Sequence, residues 1–246
     1  MSADAWTALG ARRGLVILCY HALSDALDDY PFRTGADAFA RQLDRLAQTF
    51  ELVGIDRAVA LWDAAVRGDA GAFADRARPV AAVTFDDAYA EVADLATPVL
   101  RRHGIAAGLF AARNQIRRAG ATHLSEAGLR DLARDPHWRV GAHGISHDSL
   151  YSLRQPDLED EVAGSLAWLA DLLGGTPFAF AYPQGKISAR VVETARQHTP
   201  LAFATDQRVG ETPDRLQLRR LCPKQKHDDL AAFAKLLAAG PWEVDA

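Results

Sequence analysis

The chain has 246 residues, with 28 Lys and Arg against 32 Asp and Glu for a formal net charge of −4, and 49% of its residues are hydrophobic. This is ordinary globular composition, long enough for one large α/β domain, and it offers no basic excess for nucleic acid. The longest apolar run near the N-terminus, Leu15–Tyr20, is far too short to span a bilayer.

In chain order, residues 14–20 read as a first strand rich in Leu, Val and Ile. A helix over 36–50 places Phe39, Leu43, Leu46 and Ala47 on one face, with Asp37 near its start. Residues 51–54 form a short strand, and Asp56 is placed to cap a helix reaching about Arg67. A polar connection over 68–78 leads to the continuous apolar strand 80–85. A helix over 89–103 contains Pro98, which predicts a kink or a restart after Thr97. Strand 106–112 is followed by a short helix over 125–134 with Ser125 as its cap, then by strand 138–143. Leu158, Val162, Leu166, Leu169 and Leu173 share a face of a helix over 157–173, which Gly174-Gly175 stops. Strand 178–182, helix 187–198, strands 201–205 and 216–221 and a final helix over 228–239 complete the pattern. Alternating strands and helices argue for a mainly parallel sheet. Seven or eight strands suit a distorted (β/α) barrel in a single domain spanning 1–246, its core running from about 14 to 240.

The chain has three Asp-Asp pairs, Asp28-Asp29, Asp86-Asp87 and Asp228-Asp229, and only the second follows an apolar strand. The other two read as solvated turns or a helix start. Of eight histidines, only His143 and His147 stand four apart, and His143 ends a strand. The loops that follow parallel strands are where a barrel of this class builds its active site. Asp87, His143 and His147 can therefore hold one divalent ion with a position left for water, and Asp86 beside them can act as a base. That arrangement predicts hydrolysis of an amide or ester. Each residue has a plainer reading: Asp86 as the cap of the helix near Tyr89, and His143 as a core histidine with both nitrogens satisfied. Asp and two His suit Zn²⁺ but also Co²⁺, Ni²⁺ or Fe²⁺.

Val83-Thr84-Phe85-Asp86-Asp87-Ala88-Tyr89 resembles the first motif of the polysaccharide deacetylases, carbohydrate esterase family four, usually Thr-Phe-Asp-Asp-Gly. Residues 141–150, Gly-Ala-His-Gly-Ile-Ser-His-Asp-Ser-Leu, resemble the second, and Phe180-Ala181-Tyr182-Pro183-Gln184-Gly185 is similar to the third. Cys19-Tyr20-His21 resembles a Tyr-His near the first strand in one branch. The resemblance runs in order from about residue 15 to 221 and implies a distorted, often seven-stranded barrel removing N- or O-acetyl groups from sugars with a metal ion. By position it implies Asp86 as base and Asp87, His143 and His147 as ligands. The backbone N–H of Gln184 would stabilise the oxyanion, Tyr182 would line the pocket, and His21 would face metal or substrate.

Three departures stand out. Ala88 replaces the usual Gly, which predicts a narrowed or reshaped entrance. Ala181 replaces a base-orienting Arg, whose charge Arg220 or Arg219 can supply. The family's late Leu-x-His has no match, His227 lying in a helix-start context. The expected partner is an acetylated sugar or oligosaccharide, with a same-fold hydrolase of a non-sugar C–N bond or a catalytically weak binding barrel as alternatives. Arg12 and Arg13 precede only six apolar residues with no small-residue cleavage site, from which a cytoplasmic location is expected. Cys19 and Cys222 are expected as reduced thiols rather than a disulfide framework.

Overall fold

The computed structural model describes residues 2–24, 30–118, 122–205 and 208–243; the Asp28-Asp29 pair lies outside them. By internal contacts the chain falls into two compact units. The first comprises Met1–Thr84, Glu91–Ala107 and Arg220–Ala246, the second Phe85–Ala90 and Gly108–Arg219.

In the first unit, β1 (Leu15–Tyr20) lies beside β3 (Val80–Phe85), and β2 (Glu51–Leu52) pairs with β3 in parallel, Glu51 opposite Val80. β1 and β3 are buried along their whole length, as expected for strands covered on both faces. The helices Ala36–Thr49, Ile55–Val66 and Leu230–Ala239 form where the apolar spacing places them. A ten-residue helix, Ser2–Ala11, precedes them; no sequence signal marked it. Gly54, not Asp56, occupies the cap position of the helix Ile55–Val66, so Asp56 sits in the first turn, where its charge meets the positive helix end. Asp229 caps the last helix, accepting the N–H groups of Ala231 and Ala232 at 2.9 and 3.0 Å. The helix Ala90–His103 continues through Pro98 without a restart. Asp94, whose carbonyl loses its partner to the proline, is exposed, so water can satisfy it. Cys19 and Cys222 are free thiols, the first buried and the second half-buried.

The second unit carries β4 (Ala107–Ala111), β5 (Trp138–Ala142), β6 (Phe180–Ala181) and β7 (Ala202–Phe203) in that order. β5–β6 and β6–β7 pair in parallel, with Ala142 opposite Phe180 and Phe180 opposite Ala202. Ser125 caps its helix as expected, accepting Gly128 N–H at 3.1 Å. The expected helix over 157–173 starts earlier, at Gln155, and contains a π-turn over Asp160–Gly164. Leu172 is buried near its end and Leu173 only partly so. The strand expected over 216–221 is not a strand. Only Leu218 and Leu221 bridge, to Phe203 and Leu18 respectively, and two residues pairing with different strands make no ladder. Among the described residues, no helix is long and apolar enough to cross a membrane.

Gly141 in β5 has no room for a side chain: a Cβ there would come 2.6 Å from both Ala179 O and Phe110 Cε1. Gly141→Ala should lower unfolding stability by about 1–3 kcal/mol through overpacking, read as a lower midpoint in urea.

Candidate metal centre and active site

The site is built where β3, β5 and β6 end. Phe85, the last residue of β3, packs its ring 5.4 Å from Trp138 and so sets where the next residues emerge. Asp86 and Asp87 follow, 3% and 4% exposed. Adjacent residues on a regular strand point to opposite faces, so both can serve one site only if the chain bends. It does: Asp87 and Ala88 are left-handed, at φ 68° and 50°. His147, in the loop after β5, is likewise left-handed at φ 70°, and Gln184, after β6, at φ 58°. Among the described residues these four are the only non-glycines with such backbone. Each costs on the order of 1–3 kcal/mol, and such strain concentrates at functional sites.

His143 is 2% exposed, and its backbone N–H donates to Ala111 O at 2.9 Å, tying the loop to β4. Its Nδ1 lies 2.8 Å from Ala181 O. A carbonyl only accepts, so Nδ1 carries the proton and Nε2 presents its lone pair to the carboxylates. Nε2 lies 3.8 Å from Asp86 Oδ2 and 3.9 Å from Asp87 Oδ1, while His147 Nε2 lies 3.0 Å from Asp87 Oδ1. One ligand atom each from Asp87, His143 and His147 fall within 4.8 Å of one another. Burial lowers the pKa of His143 despite the neighbouring carboxylates, which keeps it neutral. Burial also pulls His147 down, but its hydrogen bond to Asp87 and the nearby carboxylates outweigh it, and its net shift is upward. One carboxylate and two imidazoles fit a divalent ion of the zinc type.

The alternative role for Asp86 as a helix cap fails, because the helix begins four residues later, at Ala90. His143 is bonded to backbone as a core histidine would be, but through one nitrogen only. Tyr182 is buried edge-on to Phe180, with ring centroids 5.5 Å apart. Its hydroxyl has no hydrogen-bond partner among the described residues, and burial raises its pKa, so it remains a donor. The Gln184 side chain is exposed, leaving its backbone as the group of interest. Ala88 is fully buried, which corrects the expectation of a narrowed entrance: its methyl lines no open surface. Ala181 is also enclosed and serves through its carbonyl. In the first unit, His21 is half-buried with its ring 4.8 Å from Phe32, and Arg220, 1% exposed, donates to Thr84 Oγ1 at 3.2 Å. His227 Nδ1 accepts Lys224 N–H at 2.8 Å, consistent with a helix-start residue.

Two residues escaped the sequence reading. Glu161, 9% exposed in the π-turn, accepts Ile145 N–H at 2.7 Å and Ser146 N–H at 3.1 Å, clamping the loop between the two histidines. At Gly144, φ 80°, a Cβ would come 2.9 Å from Glu161 Oε2, so the loop needs glycine there. A Glu three residues after buried Leu158 and beside Val162, on the apolar face of its helix, was the available signal. Gln115 Nε2 reaches Asp87 Oδ1 at a long 3.4 Å; nothing in the sequence marked it.

A parallel-stranded α/β fold with carboxylates and histidines gathered at its strand ends defines a hydrolase-type barrel. The family model of the polysaccharide deacetylases matches residues 74–200, more than half of the chain, and the chain belongs to that family. YxkH of Bacillus subtilis (strain 168), which bears the same family name, is 25% identical over 115 residues; the match spans 47% of this chain and 40% of that protein. Among solved structures, IcaB from Ammonifex degensii is 26% identical, with a TM-score of 0.72 over 91% of this chain and 97% of its own. The Streptococcus pyogenes deacetylase PplD, solved with acetate, is 18% identical, with a TM-score of 0.73 over 94% of this chain and 100% of its own. The polysaccharide deacetylase BC0361 from Bacillus cereus is 20% identical, with a TM-score of 0.72 over 92% of this chain and 69% of its own. The fold is therefore the deacetylase (β/α) barrel with six to seven parallel strands.

Removing the clamp should loosen the second histidine. Glu161→Ala should raise the Kd for Zn²⁺ by about 10- to 100-fold in calorimetric titration, with far-UV circular dichroism unchanged. Glu161→Gln, which keeps one acceptor oxygen, should lose less.

Proposed function

We propose that the chain is a metal-dependent hydrolase that removes N- or O-linked acetyl groups from a sugar or polysaccharide precursor. The observation that carries this reading is the gathering of Asp87, His143 and His147 around one point, with the buried Asp86 beside them. Membership of the polysaccharide deacetylase family supports the acetyl group and the carbohydrate. Asp87, His143 and His147 would hold the ion, with zinc the best match to their donors and cobalt, nickel or iron(II) also compatible. A divalent ion there supplies Lewis acidity, easing the deprotonation of water and polarising a carbonyl oxygen.

The chain's own groups do the rest. Asp86 takes the proton from the attacking water; its low exposure strengthens that interaction and keeps bulk solvent from competing. The proton on His143 Nδ1 stays there, donated to the Ala181 carbonyl, so this imidazole is committed to coordination rather than proton transfer. The backbone N–H of Gln184 would donate to the oxyanion that develops on the acetyl carbonyl oxygen as water adds to its carbon. Tyr182 would border the acetyl methyl with its ring and offer its O–H to the substrate.

The test measures metal content and acetate release on the same samples. Wild type should hold about one equivalent of metal and release acetate from acetylated amino sugars. His143→Ala should lose both. Asp86→Asn should keep the metal while activity falls about 10²- to 10⁴-fold. Turnover of a chromogenic acetyl ester without release from any acetylated sugar would remove the carbohydrate from the reading. No metal after reconstitution would remove the hydrolase.

A further inference from the structure

A second polar cavity lies in the second unit, outside the group that would hold a metal. Its volume is about 410 Å³, within the usual range for small-ligand sites. Arg113, Arg117 and Arg130 line it against two carboxylates, Glu126 and Asp171, with Trp168 forming part of the wall. Three guanidiniums on one small cavity repel one another unless something anionic is shared among them.

Glu126 is shared by two of the three. Its Oε1 accepts from Arg117 Nε at 3.1 Å and Trp168 Nε1 at 3.2 Å, and its Oε2 lies 4.0 Å from Arg130. These contacts lower its pKa, Trp168 and Arg117 contributing most, so it is ionised and orients both cations. Arg113 is different. It makes no side-chain hydrogen bond or ion pair among the described residues, and its Nε is buried without a partner. A buried guanidinium nitrogen left unpaired is costly, and with Nε enclosed, the part of Arg113 that the cavity presents to a ligand is its terminal amino fork. Arginine's planar fork matches the oxygens of a phosphoryl group.

We infer that this cavity binds a phosphoryl group carried on a sugar, with Arg113 as its central contact. Arg117 and Arg130, already oriented by Glu126, complete the cationic wall. Asp171, exposed on the same cavity, can accept from the several hydroxyl groups of a sugar, which offer donors beyond the phosphoryl group's own. The cavity also adjoins the histidine loop. Arg113 N–H donates to Gly144 O at 3.1 Å and Asn114 N–H to Ile145 O at 2.8 Å. Gly164, on the cavity wall, lies so close to that loop that a Cβ there would come 2.9 Å from Ile145 Cδ1. A phosphorylated sugar held here lies beside the loop that carries His147. Binding itself does not depend on the deacetylase reading, since it requires neither metal nor turnover.

The experiment is calorimetric titration of the chelator-treated full chain with glucose 1-phosphate and with inorganic phosphate, at ionic strength fixed with chloride. Wild type should bind both, the sugar phosphate more tightly. Arg113→Met should weaken both by about tenfold or more, as expected for a lost charge-assisted contact. Absence of binding to wild type or equal binding by Arg113→Met would overturn the assignment. Inorganic phosphate binding with no affinity for the sugar phosphate would overturn the sugar-borne part. If Arg113→Met does not fold, phenylglyoxal modification of wild type followed by peptide mass mapping decides. Arg113 protected by glucose 1-phosphate supports the site, and Arg113 modified equally with and without it refutes it.

Discussion

The 2.8 Å hydrogen bond from His143 Nδ1 to the carbonyl of Ala181 is the contact on which the site turns. It joins the end of β5 to the end of β6, so the parallel pairing of Ala142 with Phe180 becomes the positioning of an imidazole. It also decides the chemistry of that imidazole, because a proton held on Nδ1 leaves Nε2 as a ligand atom. Since the acceptor is backbone, the residue at 181 can be alanine without loss of this function. What matters is the strand's register, which the flanking ladder supplies.

The surrounding loops are held against their own preferences. Asp87, Ala88, His147 and Gln184 all adopt left-handed backbone. Ala88 has a positive φ, which glycine adopts more easily than alanine, so the turn, not the entrance, makes the demand there. Alanine keeps the turn at some cost in stability and fills an enclosed space. Glu161 balances part of the strain after β5 by accepting two backbone N–H groups from the loop. It reaches them from a π-turn, a local widening of the helix that often marks functional positions.

The second unit thus combines two kinds of polar chemistry. Around His143 the groups are anionic and imidazole, enclosed and suited to a cation. Around Arg113 they are guanidiniums in an open cavity, suited to an anion. The chain's net charge of −4 conceals this separation, since average charge says nothing about local grouping. The short contacts between the Arg113–Arg117 helix and the histidine loop place both on one backbone frame.

Composition and periodicity by themselves determined the class of fold, because buried parallel strands read as continuous apolar runs and their helices as amphipathic ones. Local motif chemistry likewise determined Asp86, Asp87, His143 and His147 as the residues to gather, since carboxylate and imidazole ligands are legible as residue types at strand ends. Three things lay beyond that reading: the missing strand at 216–221, the role of Glu161, and the unpaired Arg113. Leu218 and Leu221 have the apolar look of a strand, but pairing depends on which neighbour each one meets. Glu161 stands on the apolar face of its helix, which the linear chain shows, but its partners do not appear there, and Arg113 looks like an ordinary surface charge. Only tertiary structure decides whether a charged side chain is solvated, clamps a loop or waits in a cavity, because burial and partners are set by residues distant in sequence.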